Sequence, residues 1–182
     1  MSLKDDLSFM ARAFALAHRV APRAGSPTPR VGCLLVKNGK VVAEGAHARF
    51  GGPHAEATAL SRAGARARGA TAFVTMEPCA EFSGKKTPSC AAALAAAGVK
   101  HVVCAGLDPN PKVGGQGLAL LRRADVKTRR IDLGAEAEAL NRGFFSRMRR
   151  GRPWVILKAA LSLDGKAAAA SGRSRWVTGA PA

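Results

Sequence analysis

No stretch of this sequence approaches the roughly 18 consecutive apolar residues of a membrane span, and its first nine residues show no basic patch followed by an apolar run. The expectation is a soluble, cytoplasmic protein with no membrane partner. Cysteine is scarce, four in 182 residues. Without a secretory leader, such residues are read as metal ligands or buried thiols rather than disulfides. Acidic residues are few: 12 Asp and Glu stand against 29 Lys and Arg, a net charge of +17. That balance favours contact with phosphates or nucleic acid. The bases are scattered along the whole chain, however, which suits a solvated basic surface and a phosphorylated metabolite better than a polymeric nucleic-acid partner.

What is present is enough apolar material, 47% of residues, for one well-buried domain with a few tens of residues left over. Near-helical spacing of Leu7, Met10, Ala11, Phe14 and Ala17 predicts a first helix over 4–18. Pro22, Gly25, Pro27 and Pro29 then impose a loop. Two short β-type runs, 31–36 and 40–44, flank Asn38-Gly39, a pair that tolerates the positive φ of a tight hairpin turn. Further on, helices are expected at 54–65, 89–97, 115–124 and 135–149, and strands at 70–76, 100–105 and 126–131. Strands alternating with helices imply an α/β layered sheet opened by an antiparallel hairpin. Gly151-Arg152-Pro153 marks a boundary, after which 154–161 reads as an exposed apolar strand and Ser162 to Gly165 as a turn. An uncovered edge of that kind invites pairing, so a homodimer or association through 154–161 is expected.

The chemistry concentrates in Pro53-His54-Ala55-Glu56 and Glu77-Pro78-Cys79, followed by Cys90. A zinc ion that carries out hydrolysis needs three protein ligands and one open position, where bound water falls to a pKa of about 7. His54, Cys79 and Cys90 meet that count. His54 and Cys90 fall at helix starts, where partial positive charge favours thiolate over thiol, and Cys79 follows a buried strand. Glu56, two residues after His54, is placed as the general acid and base that takes a proton from the attacking water and delivers it to a departing amine. The order H-x-E, then P-C, then a second Cys is a known signature of zinc nucleobase deaminases. Cys33 and Cys104 lie in apolar runs and are read as packing residues. His18 and His101 are read as exposed or packing, and His47 as either loop structure or a substrate contact.

The chain resembles the bifunctional riboflavin-biosynthesis deaminase/reductase family. The resemblance rests on Pro29-Arg30-Val31-Gly32-Cys33, Gly52-Pro53-His54-Ala55-Glu56, Val74-Thr75-Met76-Glu77-Pro78-Cys79, Lys86-Thr87-Pro88 and Asp108-Pro109-Asn110-Pro111. It continues through Leu140-Asn141-Arg142-Gly143-Phe144-Phe145, Leu157-Lys158, Ser162-Leu163-Asp164-Gly165 and Ala169-Ala170-Ser171-Gly172. It implies a cytidine-deaminase-like three-layer α/β/α sandwich with a mixed sheet. Residues 1–150 would form the zinc-dependent deaminase domain, and 151–182 a linker with the truncated start of an NADPH-dependent reductase domain. The implied reaction is hydrolytic deamination of 2,5-diamino-6-(5-phosphoribosylamino)pyrimidin-4(3H)-one to 5-amino-6-(5-phosphoribosylamino)uracil and ammonia. By the same resemblance His54, Cys79 and Cys90 hold Zn2+, Glu56 moves protons, and Thr28, His47, Lys85 and Lys86 contact the substrate. Ala160, Ser174 and Trp176 would be the first nucleotide and substrate contacts of the reductase, with NADPH bound only if that domain is completed elsewhere. The sequence departs from the family pattern at Thr28, usually Asn, and at Glu81, usually His, and its Cys79 to Cys90 loop is two residues longer.

Two other readings compete. The charge suits a nucleic-acid deaminase of the tRNA adenosine type, although such proteins have Cys-x-x-Cys rather than the long gap seen here. A basic RNA-binding module with a structural zinc would draw on Arg142, Arg147, Arg149, Arg150 and Arg152, but structural zinc is normally closed by four protein ligands.

Overall fold

A computed structural model describes residues 3–21, 28–81, 88–111 and 113–173. Its centre is a five-stranded mixed sheet in the order β2-β1-β3-β4-β5. The hairpin β1 (Gly32–Lys37) and β2 (Lys40–Ala46) turns at Asn38 and Gly39, whose φ angles of 52° and 72° are the ones an Asn-Gly turn supplies. β1 also runs antiparallel to β3 (Thr71–Val74), whereas β3, β4 (His101–Cys104) and β5 (Lys127–Arg130) are mutually parallel. Each parallel step needs a crossover, and helices supply it.

Helices cover both faces. α1 (Leu3–Arg19) lays Met10 and Ala13 against Leu34, Val36, Phe73 and Val103 on one side. α2 (Ala55–Ala63), α3 (Cys90–Ala96) and α4 (Gln116–Arg123) pack Ala55, Ala59, Leu94 and Leu121 against Cys33, Leu35, Ala72, Val74, Val102 and Cys104 on the other. The result is the expected three-layer sandwich. Cys33 and Cys104 are core residues with no exposed surface. The facing side chains alternate along β1, with Leu34 and Val36 to one layer and Cys33 and Leu35 to the other, as a two-residue period demands.

Two expectations are corrected. The last helix is not continuous over 135–149 but divides into α5 (Gly134–Leu140) and α6 (Arg142–Arg150) at Asn141, whose φ of −125° leaves the helical region. Long-range bonding compensates: the Asn141 side chain accepts the Arg30 N–H at 2.8 Å and donates to the Arg30 carbonyl at 3.0 Å. The apolar run 154–161 forms no strand. It pairs with no other segment among the described residues and exposes Val155, Ile156 and Leu157 by 78 to 89%. A strand exists only where a neighbour satisfies its backbone groups, and here none does. The turn after it is present, closed by Ser162 N–H to the Lys166 carbonyl and Gly165 N–H to the Ser162 carbonyl, both at 2.9 Å. Among the described residues no helix is long and apolar enough to cross a membrane.

Candidate metal centre and adjoining cavity

His54 sits immediately before α2 in extended conformation (φ −68°, ψ 162°), and its carbonyl accepts the Thr58 N–H at 3.0 Å. β2 fixes where that helix begins. Gly45 lies so close beneath it that a Cβ there would stand 2.3 Å from the Ala55 carbonyl oxygen. Glu56, one residue further, is buried with 4% of its surface exposed. From the end of β3, buried Thr75, Met76, Glu77 and Pro78 carry the chain to Cys79. Cys90 is the first residue of α3, capped by Ser89, whose hydroxyl accepts the Ala92 N–H at 3.1 Å and donates to the Cys79 carbonyl at 3.0 Å. The Ala91 N–H reaches that same carbonyl at 3.2 Å, so the two cysteine-bearing segments are tied to each other.

The ligand atoms of His54, Cys79 and Cys90 lie within 4.8 Å of one another. Nδ1 of His54 is 3.5 Å from Cys79 Sγ and 3.3 Å from Cys90 Sγ. Ordinary Zn–S and Zn–N bonds at a tetrahedral angle put sulfur and nitrogen about 3.6 Å apart, so this donor set fits zinc without rearrangement. The Cys79 thiol is held well below the usual thiol range, first by its hydrogen bond with Cys90 and further by His54. Thiolate is the form that binds metal. Among the described residues the cluster has three members, and the remaining residues include no His, Cys, Asp or Glu. Glu56 stands beside the cluster without belonging to it. Burial is the first cause pushing its carboxyl up to about 7, and the negative charge of Cys79 adds to the effect.

The cluster opens on a cavity of about 370 Å³, the size class of a small-molecule site. Its lining includes Thr28, His47 and Phe50, then Met76, Glu77 and Cys79, and further along the chain Asp108, Asn110 and Val113. His47 is buried, with Nδ1 3.0 Å from the Pro53 carbonyl and Nε2 2.8 Å from the Thr28 hydroxyl. A carbonyl only accepts, so Nδ1 carries the proton and Nε2 of the neutral ring accepts from Thr28. Burial lowers the His47 pKa and favours that neutral state. The ring meets His54 edge-on at 5.2 Å. Asp108 accepts the Asn110 N–H at 2.8 Å, and burial raises its carboxyl to about 6.

The structure thus gathers His54, Glu56, Cys79 and Cys90 at one place and sets Thr28 and His47 on the adjoining wall. Lys85 and Lys86 lie outside the described residues, as do Ser174 and Trp176. Ala160 is exposed in the irregular segment 154–161 and is not among the residues lining the cavity. His18 and His101 are exposed. The sequence motifs include Met76 and Glu77 but assign neither a role, and Phe50 and Val113 carry no sequence signal for the site. The turn-forming Asp108-Pro109-Asn110-Pro111 was the one local signal that a structured loop faces it.

Comparison with known proteins agrees with this geometry. The profile of the cytidine and deoxycytidylate deaminase zinc-binding region matches residues 3–106, and that of the RibD C-terminal domain matches 153–182. The riboflavin biosynthesis protein RibD of Haemophilus influenzae is 50% identical over 175 residues, covering 96% of this chain and 46% of that protein. The diaminohydroxyphosphoribosylamino-pyrimidine deaminase of Buchnera aphidicola (subsp. Schizaphis graminum) is 43% identical over 148 residues, 81% of this chain and 99% of that protein. The solved structure of Acinetobacter baumannii RibD superposes with a TM-score of 0.90 at 47% identity, covering 98% of this chain and 49% of that one. The chain therefore spans about half the length of most curated relatives it matches.

Proposed function

The chain belongs to the family of the cytidine and deoxycytidylate deaminase zinc-binding region, and from that membership we propose that it hydrolyses the exocyclic amine of a phosphoribosylated diaminopyrimidine. The substrate is the diaminopyrimidinone named above, the products the corresponding uracil and ammonia. A deaminase with that substrate name covers 81% of this chain at 43% identity. The observation that carries the reading is the juxtaposition of a three-donor cluster with a buried carboxyl outside it, both opening on one cavity.

His54, Cys79 and Cys90 would hold a zinc ion. Once bound, zinc supplies a Lewis acid that brings a water molecule to a pKa of about 7. Glu56 takes the proton from the attacking water as its oxygen adds to the ring carbon that bears the amine. It then delivers that proton to the amine nitrogen, and the carbon–nitrogen bond breaks to release ammonia. Thr28 and His47 would bind and orient the heterocycle, with Lys85 and Lys86 meeting the phosphate. Residues 1–150 act as the deaminase domain in this reading.

Against the module with structural zinc stands the donor count: among the described residues the cluster has three members, where a structural site is normally closed by four. The test is ammonia release from the diaminopyrimidine substrate, with and without a zinc chelator and with Glu56→Gln. The variant should keep its zinc and lose at least about a hundredfold in kcat. Retained activity would remove Glu56 from the mechanism. Inosine formation on RNA without pyrimidine turnover would transfer the site to the tRNA adenosine type.

A further inference from the structure

We propose that Glu77 is a positioning residue that clamps the wall of the cavity formed by Asp108, Asn110 and Val113 onto the segment carrying Cys79; this rests on the reading of the cavity as the substrate site. The Glu77 side chain is buried, and its two oxygens accept three backbone N–H groups from a stretch more than 30 residues away in sequence. Oε2 accepts from Gly115 at 2.8 Å and Asp108 at 3.4 Å, and Oε1 accepts from Leu118 at 3.1 Å. Its own N–H donates to the Gly106 carbonyl at 2.9 Å. Gly115 is the N-cap of α4 and Leu118 lies in its first turn, where the N–H groups have no intrahelical acceptor. The carboxylate therefore replaces the missing acceptors for that helix and, through Asp108, for the start of the loop.

Gly117 shows how close the contact is. A Cβ at that position would lie 1.8 Å from the Pro78 carbonyl oxygen and 3.3 Å from Glu77 Oε1. α4 thus rests its first turn directly on Glu77-Pro78, one residue before Cys79. Asp108, Asn110 and Val113 face the cavity from the same loop that Glu77 holds. If the clamp opens, the distance between this wall and the metal centre is no longer fixed. Substrate binding then suffers before the metal cluster does.

Glu77→Gln tests this. It keeps the shape of the side chain but turns one acceptor into a donor facing a backbone N–H. The expected result has three parts: zinc content equal to that of the parent, at least about tenfold faster amide exchange across residues 107–118, and a KM raised about tenfold while kcat falls no more than about threefold. Glu77→Asp, which keeps both oxygens, should recover part of the lost affinity. In the unaltered protein the Gly115 and Leu118 amides should exchange at least about a hundredfold more slowly than the exposed Gly51 amide. That measurement needs no variant to fold. Unchanged exchange and KM in Glu77→Gln would overturn the proposal, as would loss of zinc and kcat at constant KM or rapid exchange of those two amides in the parent. If the parent turns over no diaminopyrimidine but shows the exchange pattern, the clamp stands and the substrate assignment falls.

Discussion

Gly45→Ala should disable the site from below without touching any of its side chains. Gly45 lies in β2, and an added Cβ would stand 2.3 Å from the Ala55 carbonyl oxygen and 2.7 Å from the Ala59 N. Both neighbours are backbone, so no rotamer change relieves the contact; α2 must move by about 1 Å to restore ordinary separation. His54 and Glu56 ride on the start of that helix. A displacement of about 1 Å at a reacting group can lower turnover about a hundredfold, while overpacking costs about 1–3 kcal/mol of stability. The assay is ammonia release per zinc-loaded molecule, alongside urea unfolding. Gly32→Ala is the comparison. Its Cβ would stand 2.0 Å from the Ala13 carbonyl oxygen on the other face, in α1, which carries no site residue. It should lose comparable stability yet keep turnover within about threefold. Gly45→Ala with parental turnover and parental stability would refute the argument that β2 sets the position of His54 and Glu56.

Asp108 supplies a pH signature. Its folded carboxyl is raised to about 6, chiefly by burial, above its ordinary value of 3.8. The folded state therefore keeps a proton that the unfolded state has released, and stability falls as pH rises from about 4 to about 6. Zinc-free protein should lose about 2 kcal/mol relative to Asp108→Asn across that window in urea titrations; parallel profiles would contradict the assignment. Asn141→Ala removes two bonds to the Arg30 backbone and one to the Ala137 carbonyl. It should cost about 2 kcal/mol in urea unfolding, and a loss below about 0.5 kcal/mol would show that the helix break needs no such support.

The convergence of His54, Cys79 and Cys90 was legible because a three-donor site imposes local patterns: a histidine and a cysteine at helix starts, a proline before the other cysteine, and a carboxyl two residues from the histidine. The hairpin was equally legible, since only residues such as Asn38 and Gly39 accept its positive φ angles. The division at Asn141 was not, because the polar and apolar spacing runs through Asn141 and Gly143, whose weak stop signals it outweighs, and no proline is present. What bends the chain there is a pair of bonds to Arg30, 111 residues away. Glu77 stood in a sequence motif, but its role was illegible for the same reason: its acceptors serve donors 31 to 41 positions further along. The run 154–161 misled in the opposite direction. Its composition suits a strand, but composition cannot provide the neighbour a strand requires.

Zinc K-edge X-ray absorption on the metal-loaded protein tests the central claim most directly. The account predicts two sulfurs near 2.3 Å and two light atoms near 2.0 Å, only one of them an imidazole nitrogen. Replacing either Cys79 or Cys90 by serine should remove one sulfur, and Glu56→Gln should leave the spectrum unchanged. A zinc shell with more or fewer than two sulfurs, or one altered by Glu56→Gln, would contradict it.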